Sequence, residues 1–280
     1  MRIIEKKMRT SDAFELFYRK VQPKVSKCSV IFLHGIALHS GIYAEAIKQL
    51  GEYGMFVLAP DQRGRGRSTS LDWKKGDLHS VDRMSQDIAE LRQAHMAEIG
   101  KLPTYVIGAS LGGIIGLYHA QSNNHINGVA IGGPPFGAYS PLSLAVTSLI
   151  ARIDPKYEMN EGLLEKIAGT PERAKEFRSD SLVNDKGLKA ESALELLRTI
   201  KQIEKAMKRI HIPTLIVYGN RDKLVTMQQI RVMEKKIGSK YCEIQTVDGM
   251  GHDMFGEKEY QTCFDIVIAW MKRNNPKVFD

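Results

Sequence analysis

A serine, an aspartate and a histidine follow one another along this 280-residue chain, each just past an apolar run, and together they suit nucleophilic acyl transfer. Ser110 lies in Gly108-Ala109-Ser110-Leu111-Gly112, after Tyr105-Val106-Ile107 and before a helix-like segment from Ile114 to Ala120. That is the G-x-S-x-G pattern of a nucleophile elbow, a strand-to-helix turn that exposes a serine hydroxyl at the sheet edge. The flanking glycines fit a turn too sharp to hold β-carbons on either side. The string lacks the Lys-Ser/Thr end of a P-loop and the spacing of a dinucleotide fingerprint, which argues against nucleotide binding.

A serine hydroxyl needs a base at neutral pH, and the base needs an orienting carboxylate. Behind an elbow, the chain order is Ser, acid, His. Thr214-Leu215-Ile216-Val217-Tyr218 ends in Gly219-Asn220-Arg221-Asp222, and Tyr241 to Val247 runs into Gly249-Met250-Gly251-His252. Asp222 and His252 are therefore expected on turns at the same sheet edge as Ser110. A glycine-rich helix cap would explain the pentapeptide alone, but not all three residues in order. Asp248 and Asp253 flank His252, yet sequence neighbours seldom reach the far imidazole nitrogen. Asp61 precedes the serine and opens Asp61-Gln62-Arg63-Gly64-Arg65-Gly66-Arg67-Ser68, expected to be a solvated, glycine-bent turn.

The developing oxyanion needs two backbone donors. The N–H of Ile36, after the run Ser29 to Leu33 and His34-Gly35, and that of Leu111 are the candidates. His34 is read as a loop-ordering residue rather than the base. The remaining histidines show no H-E-x-x-H spacing, so no metal is expected, and a serine, histidine and aspartate mechanism needs no cofactor.

The elements that must position these residues follow from pattern. Strand-like runs alternate with helical periods such as Val81, Met84, Ile88, Leu91 and Ile99, the mark of an α/β layout with a parallel sheet. With 43% hydrophobic residues, a chain this long can bury a large core. The alternation stops between Gly132-Gly133-Pro134-Pro135 and Ile212-Pro213, where helical segments dominate. Residues 134–210 are therefore read as a helical cap inserted into an α/β core formed by 1–133 and 211–280. The segment Pro141 to Ile150 is short of the about 20 residues of a membrane span, and is expected to pack on the core or to dip into a lipid surface.

The net charge of +8 includes a basic amino-terminal stretch, read as dispersed surface charge; no nucleic-acid motif accompanies it. The chain starts polar, without a signal-like apolar run, and Cys28, Cys242 and Cys263 are expected as buried reduced thiols. Both point to a cytoplasmic protein, peripheral at a membrane if the cap docks there.

Assembled, these residues resemble the α/β-hydrolase superfamily, and within it the monoacylglycerol lipase and lysophospholipase-like branch. The resemblance runs through His34-Gly35, His39-Ser40-Gly41-Ile42-Tyr43, the Asp61 to Ser68 stretch, the elbow, the Asp222 turn and Gly251-His252. It implies an α/β-hydrolase fold: a mostly parallel eight-stranded sheet with helices on both faces and a cap after the sixth strand. Ser110, Asp222 and His252 occupy the family's triad positions, and Ile36 and Leu111 its oxyanion positions. The implied activity is hydrolysis of carboxylic esters with medium or long acyl chains through an acyl-enzyme, on a small-molecule or lipid ester. Thioesterases, acyltransferases and C–C bond hydrolases use the same triad, and some members of the fold only bind ligands. Mammalian monoacylglycerol lipases line the glycerol end of their pocket with an arginine, a tyrosine and a histidine; the matching positions here are Ile42, Phe177 and Phe255. A pocket without those polar groups favours a less polar leaving alcohol.

Overall fold

Five apolar runs form strands buried at every residue, and three more polar runs complete the sheet toward its two edges. In chain order the strands are β1 (Ile4–Arg9), β2 (Glu15–Val21), β3 (Cys28–Leu33), β4 (Met55–Pro60), β5 (Thr104–Ala109), β6 (Gly128–Gly132), β7 (Glu158–Met159), β8 (Leu188–Lys189), β9 (Thr214–Gly219) and β10 (Cys242–Val247). The helices are α1 (Ala44–Glu52), α2 (Val81–Ala94), α3 (Met96–Ile99), α4 (Leu111–Gln121), α5 (Pro141–Ile153), α6 (Leu163–Ala168), α7 (Pro171–Ser179), α8 (Ala190–Ala206), α9 (Met227–Lys236), α10 (Tyr260–Asn274) and α11 (Pro276–Phe279). This computed structural model describes residues 1–122, 125–137, 141–159 and 162–279.

The main sheet has eight strands in the order β1-β2-β4-β3-β5-β6-β9-β10. β1 and β2 pair antiparallel, as do β2 and β4, and every pairing from β4 to β10 is parallel. Helices cover both faces, giving the α/β-hydrolase fold. β3, β4, β5, β6 and β9 are buried at every residue, which is why they read as continuous apolar runs rather than alternating ones.

Strand order reverses between β3 and β5, because the chain leaves β3 toward β4 and returns on its other side. In open α/β sheets the crevice beyond the carboxyl ends of strands at such a reversal is where ligands bind. The loops carrying Ile36 and Ser110 emerge there.

Between β6 and β9 the chain leaves the sheet and forms α5 to α8 with a small antiparallel pair, β7 and β8. Residues 138–140, 160 and 161 of the expected cap lie outside the described residues. α5 packs against α8, and α8 against α4 and α2 of the sheet layer. No helix among the described residues is long and apolar enough to cross a membrane.

Two expectations about charge change in three dimensions. Arg19 and Lys20 of the basic amino-terminal stretch are buried in β2, where Arg19 pairs with Glu5 at 2.9 Å and Lys20 with Glu98 at 2.7 Å. The Asp61 to Ser68 turn is buried rather than solvated. Asp61 accepts the N–H of Ser40 and of Arg67, and the Arg63 guanidinium grips Asp87 and Asp12. Of the free cysteines, Cys28 and Cys263 are buried, while Cys242 on edge strand β10 is half-buried.

Candidate active site

Ser110 joins the end of β5 to the start of α4 with a φ of 49°, in the left-handed region that L-residues other than Asn and Asp seldom occupy. Such strain costs about 1–3 kcal/mol and persists only where the surroundings enforce it. Here they do. The Ser110 N–H donates to the Gly132 carbonyl at 2.7 Å, and neighbouring backbones close in on the elbow. A β-carbon at Gly108 would fall 2.4 Å from the Gly112 carbonyl, and one at Gly112 would fall 2.1 Å from the Leu33 carbonyl. The glycines are thus required by space. Leu111, the first residue of α4, has a backbone N–H at the positive end of the helix dipole, where no intrahelical acceptor is available.

Asp222 and His252 meet across the ends of β9 and β10. His252 Nδ1 lies 2.9 Å from Asp222 Oδ2, and both side chains are buried. The other oxygen of Asp222 accepts the N–H groups of Leu224 at 2.7 Å and Val225 at 3.0 Å. Its carboxylate is therefore held in place before it touches the imidazole. His252 Nε2 is buried and hydrogen-bonded to no described group, the Ser110 hydroxyl included. Catalytic hydrogen bonds are often long without substrate and tighten in the complex.

Ser110, His252, Ile36 and Leu111 line one cavity of about 210 Å³. Its remaining wall is mostly apolar: Ile114 and Leu224 from the core, and Pro135, Leu163, Leu188 and Leu196 from the insertion, with Lys166 the charged exception. Ile42, Phe177 and Phe255 are not brought to this cavity. Phe255 packs between Phe32 and Phe264, Phe177 is buried beneath the Arg173 guanidinium, and Ile42 packs against the core.

Two residues brace the loop that carries Ile36. His34 is fully buried, bonded from Nδ1 to the Gly35 carbonyl at 2.8 Å and accepting at Nε2 from the Gln62 N–H at 2.9 Å. Burial pushes its imidazole down to about 4, against the pull of Asp61, so the ring stays neutral at physiological pH. Arg65, also buried, donates from Nε to the Ile36 carbonyl at 2.8 Å and from Nη1 to the Arg63 and Asp77 carbonyls at 2.7 Å. Sequence reasoning missed this strut, because an arginine among glycines reads as exposed. Among the described residues, no three His, Cys, Asp or Glu side chains gather as a metal would require.

Known proteins share this architecture. The chain is 26% identical over 246 residues to the monoacylglycerol lipase of Mycolicibacterium smegmatis, covering 86% of this chain and 87% of that one. It is 25% identical over 271 residues to the human monoglyceride lipase, covering 94% and 88% respectively. A soluble variant of the monoglyceride lipase of Saccharomyces cerevisiae, solved with a substrate analog, superposes with a TM-score of 0.83 at 18% identity. That match covers 98% of this chain and 95% of the other, and at such identity it speaks to the fold. The family model described as Serine aminopeptidase, S33 (Hydrolase_4) matches residues 24–259. The chain belongs to that family: it is an α/β hydrolase of the monoacylglycerol lipase-like kind, a carboxylic ester hydrolase.

Proposed function

We propose that this hydrolase is a serine esterase that cleaves carboxylic esters of medium or long acyl chains through an acyl-enzyme. Ser110 is the nucleophile, His252 the general base and Asp222 the group that orients the imidazole. His252 Nε2 takes the Ser110 proton as Oγ attacks the ester carbon, and the N–H groups of Ile36 and Leu111 receive the tetrahedral oxyanion. Collapse expels the alcohol, which leaves with the proton from His252. Water then attacks the acyl-enzyme by the same path and frees Ser110.

The observation that carries this reading is the meeting of a strained elbow serine and an aspartate-anchored histidine in one apolar cavity. Residues 134–210 act as the cap, since Leu163, Leu188 and Leu196 close the cavity over Ser110. Relatives named for monoacylglycerol and monoglyceride favour a lipid ester. Peripheral contact with a lipid surface belongs to the same reading. Leu142, Val146, Leu149 and Ile153 project from one face of α5 and are between 47% and 76% exposed.

Hydrolysis of p-nitrophenyl esters from two to sixteen carbons, with Ser110→Ala as control, tests it. The expected result is a Ser110-dependent maximum at medium or long chain length. Activity confined to acetate, or equal in the variant, would remove the reading.

A further inference from the structure

Asp253 follows His252 directly, yet its carboxylate turns away from the Ser110 cavity and is only 2% exposed. It is gripped from two distant parts of the chain. Tyr43 Oη donates to Asp253 Oδ1 at 2.6 Å, and Arg173 Nη2 donates to Oδ2 at 2.6 Å. Tyr43 closes the turn after the Ile36 loop. Its phenol oxygen lies 3.8 Å from where a β-carbon on Gly35 would stand, a point also 3.8 Å from Ser110 Cβ. Arg173 belongs to α7 of the insertion and stacks over Phe177, 4.8 Å from the ring centre.

The loop around His252 is closed by these contacts. The Asp253 carbonyl accepts the N–H groups of Gly256 at 2.9 Å and Glu257 at 3.1 Å, and the Glu257 carboxylate accepts the Gly251 N–H at 3.0 Å. A β-carbon on Gly256 would fall 2.5 Å from Asp253 Oδ2 and 2.6 Å from Arg173 Nη2, so the packing admits only glycine there. Burial pushes the Asp253 carboxyl up, and the Arg173 charge pulls it back toward ionisation. Burial also raises the Tyr43 hydroxyl well above its ordinary range, which keeps it a donor.

We propose that Asp253, clasped by Tyr43 and Arg173, is a positioning residue that aims His252 and couples the seating of the insertion to it. The proposal rests on His252 acting as base for Ser110. Consecutive Cα atoms stand about 3.8 Å apart across a rigid peptide, so fixing Asp253 on two sides limits where the His252 ring can point. A misplacement of about 1 Å in a catalytic group can cost about 100-fold in rate. Asp222 fixes one end of the imidazole; the clasp fixes the backbone from which it hangs. None of the three clasp residues lines the cavity, so they act through His252 and not on substrate.

The test compares wild type with Tyr43→Phe, Arg173→Met, Arg173→Lys and the Tyr43→Phe/Arg173→Met pair. It measures kcat and KM on p-nitrophenyl butyrate and the rate of fluorophosphonate labelling, at a temperature where circular dichroism shows each variant folded. Tyr43→Phe keeps the ring and removes only the hydroxyl, so it remains informative if an Arg173 variant fails to fold. The expected result for Tyr43→Phe and Arg173→Met is a fall of about 10- to 100-fold in kcat with KM within about threefold, and labelling slowed in proportion. Arg173→Lys should recover most of the loss. The pair should lose less than the product of the singles, because both act through one carboxylate. Folded variants with wild-type kcat, or losses that appear in KM alone, would overturn the proposal while leaving the Ser110 reading intact. A wild-type protein that neither turns over ester nor labels at Ser110 would overturn both.

Discussion

Asp222 gives one oxygen to two backbone N–H groups and the other to His252, a division of labour that suits an orienting carboxylate and no other acid near the site. Asp248 instead accepts from the Asn220 side chain, and Asp253 from Tyr43 and Arg173. Asp222→Asn keeps the shape but favours the wrong imidazole tautomer, so kcat should fall by about 10³- to 10⁴-fold, with the melting temperature little changed. A loss below about tenfold on the same ester substrates would assign the acid elsewhere. The candidate residues were legible in sequence because each stands on a short turn past an apolar strand. The pocket was less so. Ile42, Phe177 and Phe255 came from aligning positions along the chain, whereas the cavity wall is set by how α6, β8 and α8 fold back over Ser110. The clasp on Asp253 was invisible for the same reason, since Tyr43 lies 210 positions away.

At the scale of elements, the central strands were readable as continuous apolar runs, because burial on both faces leaves no polar alternation. The pair β7 and β8 was not, since two residues per strand carry no period. The period that runs from Val81 through Ile99 crosses a break at His95, where α2 ends and α3 begins. Eight residues separate Leu91 from Ile99, so the helical phase survives the break and hides it. On α5 the exposed stripe of Leu142, Val146, Leu149 and Ile153 recurs at spacings of four, three and four, the period of one helix face. Replacing Leu142 and Leu149 together by glutamate should reduce sedimentation with anionic vesicles by about tenfold and leave p-nitrophenyl acetate hydrolysis within about twofold. Unchanged sedimentation would show that this stripe does not meet lipid.

Two buried histidines make stability depend on pH just below neutrality. Burial pushes both His34 and His119 down to about 4, so each is neutral in the folded state at neutral pH. As pH falls below the ordinary histidine value of about 6.5, the unfolded chain binds protons at these sites and the folded chain does not. The contribution of these two sites to stability should therefore fall as pH drops from about 6.5 toward 4, each with a slope of up to about 1.4 kcal/mol per pH unit, and the ion-paired carboxylates Asp12, Asp77 and Asp180, held below their ordinary range, extend the loss at lower pH. Urea unfolding between pH 7.5 and 5.5, above the ordinary carboxylate range, reads this directly; a constant midpoint would contradict it. Burial also explains why net charge is a poor guide to this surface. Arg19, Lys20, Arg63 and Arg65 contribute to the +8 yet lie inside, tying β2 and the Asp61 turn to their neighbours.

Covalent labelling decides whether Ser110 is the nucleophile. Wild-type protein treated with a fluorophosphonate should gain one adduct by intact mass, found by peptide mapping on Ser110 and absent from Ser110→Ala. An adduct on another residue, one that survives in the variant, or none on folded wild type would rule Ser110 out as the nucleophile.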